Sequence, residues 1–154
     1  MKKVVYFNRG IFSYWKDNNI QIGKIDRKNE RRGGGLFMID KKNETIKNKV
    51  FVMNGMVKDG GGVYLNCCKN VTIKNCIFVL NFAKWGGGIY LEKCSEIFIN
   101  DNIFILNFAK RDGGGVSISY SKNIYLTKNN FWFNFSFRSN HQVDIHNSTN
   151  VYSS

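Results

Sequence analysis

The sequence predicts an all-β chain wound as a parallel β-helix of four to five coils, and three observations predict it. A Gly-Gly-Gly-apolar block starts at Gly33, Gly60, Gly86 and Gly113, with spacings of 27, 26 and 27. A Phe-x-x-Asn block falls at Phe51/Asn54, Phe78/Asn81, Phe104/Asn107 and Phe131/Asn134 with the same three spacings. Between the blocks lie short alternating apolar runs, with none of the two-residue turns of a hairpin meander. Two independent motifs on one period define a repeat protein whose units stack in one dimension.

Taken in chain order, residues 1–32 stand outside the period. They form an irregular basic segment that reads as a cap over the stack or as a degenerate first coil. Val4-Val5-Tyr6-Phe7 and the runs at 11–15 and 20–22 have strand composition. The charged stretch 24–32 reads as a solvated turn. Residues 33–154 carry the repeats. A strand follows each glycine block: Leu36-Phe37-Met38, Val63-Tyr64-Leu65, Ile89-Tyr90-Leu91 and Val116-Ser117-Ile118. Val143-Asp144-Ile145 keeps the step, although Asn140-His141-Gln142 has replaced the glycines. First and third positions are aliphatic or Met and point inward, so the variable middle position points outward. A second strand follows (Val71-Thr72-Ile73, Ile97-Phe98-Ile99, Ile124-Tyr125-Leu126), and a third holds the Phe motif. Each strand stacks on its copy about 4.8 Å away, which predicts three parallel sheets around a filled core.

Stacking lets each column be judged separately. Phe51, Phe78, Phe104 and Phe131 form an internal aromatic stack. Asn54, Asn81, Asn107 and Asn134 follow at the turn, where a side chain with both donor and acceptor bonds to its own copies and to main chain. The glycines make a sharp corner with positive φ. A strand follows them, which excludes a phosphate loop, whose glycines open a helix. Cys68 and Cys94 continue into Ser121 and Ser148 as a column of small residues, with Cys67 and Cys76 incidental. A Cys68–Cys94 disulfide is sterically allowed, and buried thiols are the expected state.

Composition narrows the function. The chain has 154 residues, a formal charge of +12 and 21 Asn. Residues 1–58 carry 14 Lys/Arg against 5 Asp/Glu, which raises a polyanion or nucleic-acid partner as one alternative. No run approaches the roughly 18 apolar residues of a membrane span, and the N-terminal apolar run is too short for a signal peptide. For catalysis the candidates are few. Asp59 and Asp112 precede glycine blocks with Trp85 between them, and Asp144 shares a face with His146. A pair without a third group reads as surface polarity, so no catalytic residue, metal or cofactor is assigned. The outward aromatics Phe37, Tyr64 and Tyr90 on one sheet, and Phe98 and Tyr125 on another, are the expected contact surface.

The paired signature, Gly-Gly-x-aliphatic with Phe-x-x-Asn in each coil, resembles the repeats of the polymorphic outer-membrane proteins across residues 33–145. That family reads Gly-Gly-Ala where Gly35, Gly62, Gly88 and Gly115 stand here. The resemblance implies a right-handed parallel β-helix of the pectin-lyase-like class, the hand also favoured for parallel crossovers. It further implies a structural or adhesive module of a cell-surface or secreted protein, part of a longer chain. Its partner would be a surface protein or glycan of a host or neighbouring cell, with self-association through open β-helix ends. A carbohydrate-active enzyme is the alternative that the same fold class implies.

Overall fold

The computed structural model describes residues 4–7, 24–25, 31–55 and 57–154. The runs at 11–15 and 20–22 and much of the charged stretch 24–32 lie outside the described residues. So do six of the 14 Lys/Arg of residues 1–58 that raise a polyanion partner.

The chain is an all-β parallel solenoid, and each coil contributes to four sheets rather than the expected three. Sheet 1 stacks Leu36–Ile39, Val63–Asn66, Ile89–Glu92, Val116–Ser119 and Val143–His146. Sheet 2 stacks Lys42–Lys47, Lys69–Lys74, Ser95–Asn100, Lys122–Thr127 and Thr149–Ser153. Sheet 3 carries the Phe motif on Lys49–Val52, Ile77–Val79, Ile103–Ile105 and Asn130–Trp132, with Val4–Phe7 added parallel beside Lys49–Val52. Sheet 4 runs through Val57–Asp59, Phe82–Trp85, Phe108–Asp112 and Phe135–Ser136. Arg31–Arg32 joins it in parallel, and Lys24–Ile25 pairs antiparallel with Arg31–Arg32. Sheet 4 escaped the sequence reading because its alternation is spoiled by Lys84, Lys110 and Arg111 and its register shifts after Ala83.

The core is the inward half of sheets 1, 2 and 3. Val63, Leu65, Val71, Ile73, Ile89, Leu91, Ile97, Ile99, Val116, Ile118 and Ile124 have no exposed surface. Phe51, Phe78, Phe104 and Phe131 stack along the axis at 4.8, 4.7 and 4.6 Å between ring centres. Each fully buried ring contributes about 1.5–3 kcal/mol of transfer free energy. The third glycine of a block makes room for the ring: a Cβ on Gly88 would meet Phe104 Cδ1 at 2.9 Å and Gly115 O at 2.5 Å. The first glycine holds the expected positive φ, as Gly86 does at 61°.

The other three corners share one construction, a residue with positive φ followed by a short side chain that bonds between coils. Leu80 and Leu106, at φ 54° and 52°, precede Asn81 and Asn107. Asn81 Nδ2 donates to Asn107 Oδ1 at 2.8 Å and to Phe51 O at 2.9 Å, while Asn107 Oδ1 also accepts from Asn81 N. The column runs from Asn54 to Asn134, whose Nδ2 donates to Gln142 Oε1 at 3.2 Å. Gln142, in the place of a glycine, thus ends the ladder. Asn75 and Asp101 likewise precede Cys76 and Asn102, and Cys67 and Lys93 precede Cys68 and Cys94.

Two expectations about cysteines change accordingly. Cys76 is not incidental: it shares a column with Asn102 and Asn129, and its N–H donates to Asn102 Oδ1 at 2.9 Å. Cys67 occupies a positive-φ corner at 52°. All four thiols are free. The buried thiols of Cys68 and Cys94 lie against main-chain carbonyls and act on each other, which holds Cys68 below the usual thiol range and pushes Cys94 above it. Burial pushes Cys76 up to about 11.

The middle positions of sheet 1 correct the contact surface. Phe37, Tyr64 and Tyr90 do point away from the central column, yet they are buried as a second cluster against which Trp85 packs. Tyr64 Oη donates to Glu92, and Asn66 Nδ2 donates to both, so the phenol is satisfied where it is buried. Outward from a sheet is therefore not the same as exposed. On sheet 2 the outward rings do reach solvent: Phe98 is exposed and Tyr125 half-buried.

Candidate functional site

Asp112 closes its strand in sheet 4 one residue before Gly113, where the chain turns into sheet 1. Asp144 and His146 lie on the sheet 1 strand one coil further on, at alternate positions of Val143–His146 and hence on one face. Crossing the glycine corner and rising one rung brings Asp112 to that pair. His146 Nε2 is 3.2 Å from Asp144 Oδ1 and 3.6 Å from Asp112 Oδ2. One donor atom from each of the three lies within 4.8 Å of the other two. The sequence comparison had set Asp112 in the column of Asp59 and Trp85, which the register bears out, and missed the contact across the corner.

The surroundings are mixed in charge. Trp85 Nε1 donates to Asp112 Oδ2 at 3.3 Å, and Arg138 Nη1 is 3.9 Å from the same oxygen. Lys84 and Arg111 lie over the Trp85 ring, 4.4 and 5.3 Å from its centre. His141 Nδ1 is 3.7 Å from Asp144 Oδ2, so both histidines of the chain meet this one carboxylate. In sheet 1 Ser117 pairs in register with Asp144, below which comes Tyr90. The position that holds Tyr64 and Tyr90 in the two coils before holds a serine here.

The carboxylates are poorly placed for glycoside cleavage. Their side chains are 5% and 11% exposed. Inverting enzymes hold their pair roughly 6.5–9.5 Å apart and retaining enzymes about 5–5.5 Å, in both cases around an open cleft. The third group that the sequence lacked is present, but this geometry gathers the carboxylates onto one imidazole instead of spacing them for a sugar.

The ladder residues Phe51, Phe78, Phe104, Phe131, Asn54, Asn81, Asn107 and Asn134 occupy columns inside sheet 3 and its following turn, with no part in the cluster. Phe98 and Tyr125 stand on sheet 2, continued by Tyr152, with ring centres 4.9 and 5.2 Å apart.

A family model for the right-handed β-helix region matches residues 5–131, well over half of the chain. No curated protein and no solved structure matches it. The chain belongs to the right-handed β-helix family.

Proposed function

We propose that the chain is a structural and adhesive module of a cell-surface or secreted protein, which meets a protein or glycan through sheet 2. One observation carries this: the outward column of sheet 2, Thr45, Thr72, Phe98, Tyr125 and Tyr152, ends in three stacked rings. Their interplanar angles are 6° and 11°, and Phe98 and Tyr152 are 37% and 53% exposed. Parallel rings stacked in a row on a rigid sheet present an ordered ridge of ring edges to which a sugar or an apolar side chain can pack, and their order costs the complex little entropy. The likeness of the in-phase Gly-Gly-x-aliphatic and Phe-x-x-Asn motifs to polymorphic outer-membrane repeats supports the same reading.

The test is binding of the purified chain to intact cells and to immobilised glycans, beside a Phe98→Ala/Tyr125→Ala/Tyr152→Ala variant. These side chains are outside the core, so the variant should keep its melting temperature and lose at least tenfold in binding. Equal binding by the variant, or none by the parent, rejects the reading.

A further inference from the structure

We propose that Asp112, Asp144 and His146 form a site for one divalent transition-metal ion, with the Ser117 hydroxyl beside it. The separations of 3.2 and 3.6 Å between His146 Nε2 and the two carboxylate oxygens suit donors sharing one ion. With metal–ligand bonds of about 2.0–2.2 Å, neighbouring donors on a tetrahedral or octahedral ion stand roughly 3–3.6 Å apart. Asp144 Oδ1 is within hydrogen-bond distance, yet His146 Nε2 is buried and makes no hydrogen bond. Asp144 Oδ2 is buried without a hydrogen bond as well.

Burial makes compensation necessary. Two carboxylates withdrawn from water are costly unless paired or bound to a metal. The cationic groups that approach them are themselves in water: Arg138, 67% exposed, at 3.9 Å from Asp112, and His141, 66% exposed, at 3.7 Å from Asp144.

A separate observation comes from Ser117. It has no exposed surface, and its Oγ has no hydrogen-bond partner. It shares the outward face of sheet 1 with Asp144, directly in register, and its Cβ is 2.9 Å from where a Cβ on Gly113 would stand, one residue from Asp112. A hydroxyl held dry at this place has a partner once an ion, or a water on it, sits among Asp112, Asp144 and His146. The donor set also selects the class of ion. An imidazole nitrogen with two carboxylates favours zinc, cobalt or manganese over magnesium and calcium, which take oxygen ligands. The ion would clamp two coils together across the glycine corner.

The experiment is titration of the chelator-treated full chain with Co2+ alone, read by calorimetry and visible absorption, with Mg2+ as comparison. Co2+ is chosen because the free thiols are the competing ligands and announce themselves by a thiolate-to-cobalt charge-transfer band. One Co2+ should bind per chain, without that band, and raise the melting temperature; Mg2+ should do neither. Asp144→Asn and His146→Gln should each weaken binding at least tenfold. Ser117→Ala should leave the metal-free melting temperature equal or higher, because it removes an unsatisfied buried hydroxyl, and should shrink the rise with Co2+. No binding by the parent chain, affinity unchanged in Asp144→Asn and His146→Gln, or a thiolate band would each overturn the site. Sheet 2 takes no part, so the outcome is independent of cell or glycan binding.

Discussion

Cys76 sits where later coils place Asn102 and Asn129, and its thiol reaches Ile46 O one coil back as Asn102 Nδ2 reaches Ile73 O, with Lys74 O as a second acceptor. Burial raises its folded pKa from 9.0 to about 11. Between those values an unfolded thiol ionises while the folded one keeps its proton. Its contribution to stability is therefore complete below pH 9 and lost as pH rises through 11, by up to about 3 kcal/mol. Cys76→Asn should preserve the fold and remove that loss. Urea unfolding at pH 8 and 11 measures it: equal alkaline losses in parent and variant would refute the assignment. The same residue shows what a single sequence conceals. Cysteine and asparagine do not look alike in an alignment by residue type, yet both present a small donor to the carbonyl one coil back. Asparagine abundance has a related cause: of the 19 non-glycine residues with positive φ among those described, eight are Asn, the residue that tolerates this conformation best after Gly.

At the level of elements, the corner ladders hold the coils in register. Asn107 is the clearest case. Replacing it by Ala removes the acceptor of Asn81 N and Asn81 Nδ2 and the donor to Phe78 O and Asn134 Oδ1. An orphaned buried group costs about 1–3 kcal/mol, so Asn107→Ala should destabilise by roughly 3 kcal/mol or more. In a chain of this size that lowers the melting temperature by roughly 6–12 °C. A loss under about 1 kcal/mol would remove the ladder from the account of stability. This column, the Phe stack and the glycine corners were legible from spacing alone, because one residue type repeats at one place in every coil. Sheet 4 was not: Phe82, Phe108 and Phe135 do repeat there, but Lys84, Lys110 and Arg111 break the apolar alternation and the register shifts after Ala83. Nor was the burial of Phe37, Tyr64 and Tyr90, because alternation tells which side of a sheet a residue takes and not what covers that side. The Asp112–Asp144–His146 cluster needed neighbours across a corner, which a column-by-column comparison never sets side by side.

At the scale of the molecule, no described strand stacks on the outer side of the coil formed by Val143–His146 and Thr149–Ser153. Leu126, Phe131, Val143, Ile145 and Val151 line a hollow of about 590 Å³ at that end. Trp132, Phe133 and Phe137 nearby are 53%, 82% and 71% exposed. Val143–His146 and Thr149–Ser153 each have a strand partner on one side only. Unpaired edges beside apolar surface template association. The chain should self-associate as its concentration rises, and Ile145→Lys, at a site 47% exposed on this edge, should hold it monomeric. Sedimentation velocity over a concentration series reads the result; a concentration-independent monomer in the parent would discard self-association.

The register of sheet 4 carries a consequence for how such a chain changes over generations. From Asn54 to Val57 takes three steps where the next coil takes two, from Asn81 to Ala83. From Ala109 to Asp112 again takes three where Ala83 to Trp85 takes two. Sheets 1, 2 and 3 keep their pairing through both differences. The sheet 4 stretch before the glycines is thus the slack part of an otherwise taut winding, where residues can be gained or lost without unthreading the spool. Novelty in this architecture is expected to enter there, and the one cluster of carboxylates and histidine in the described chain stands at its rim.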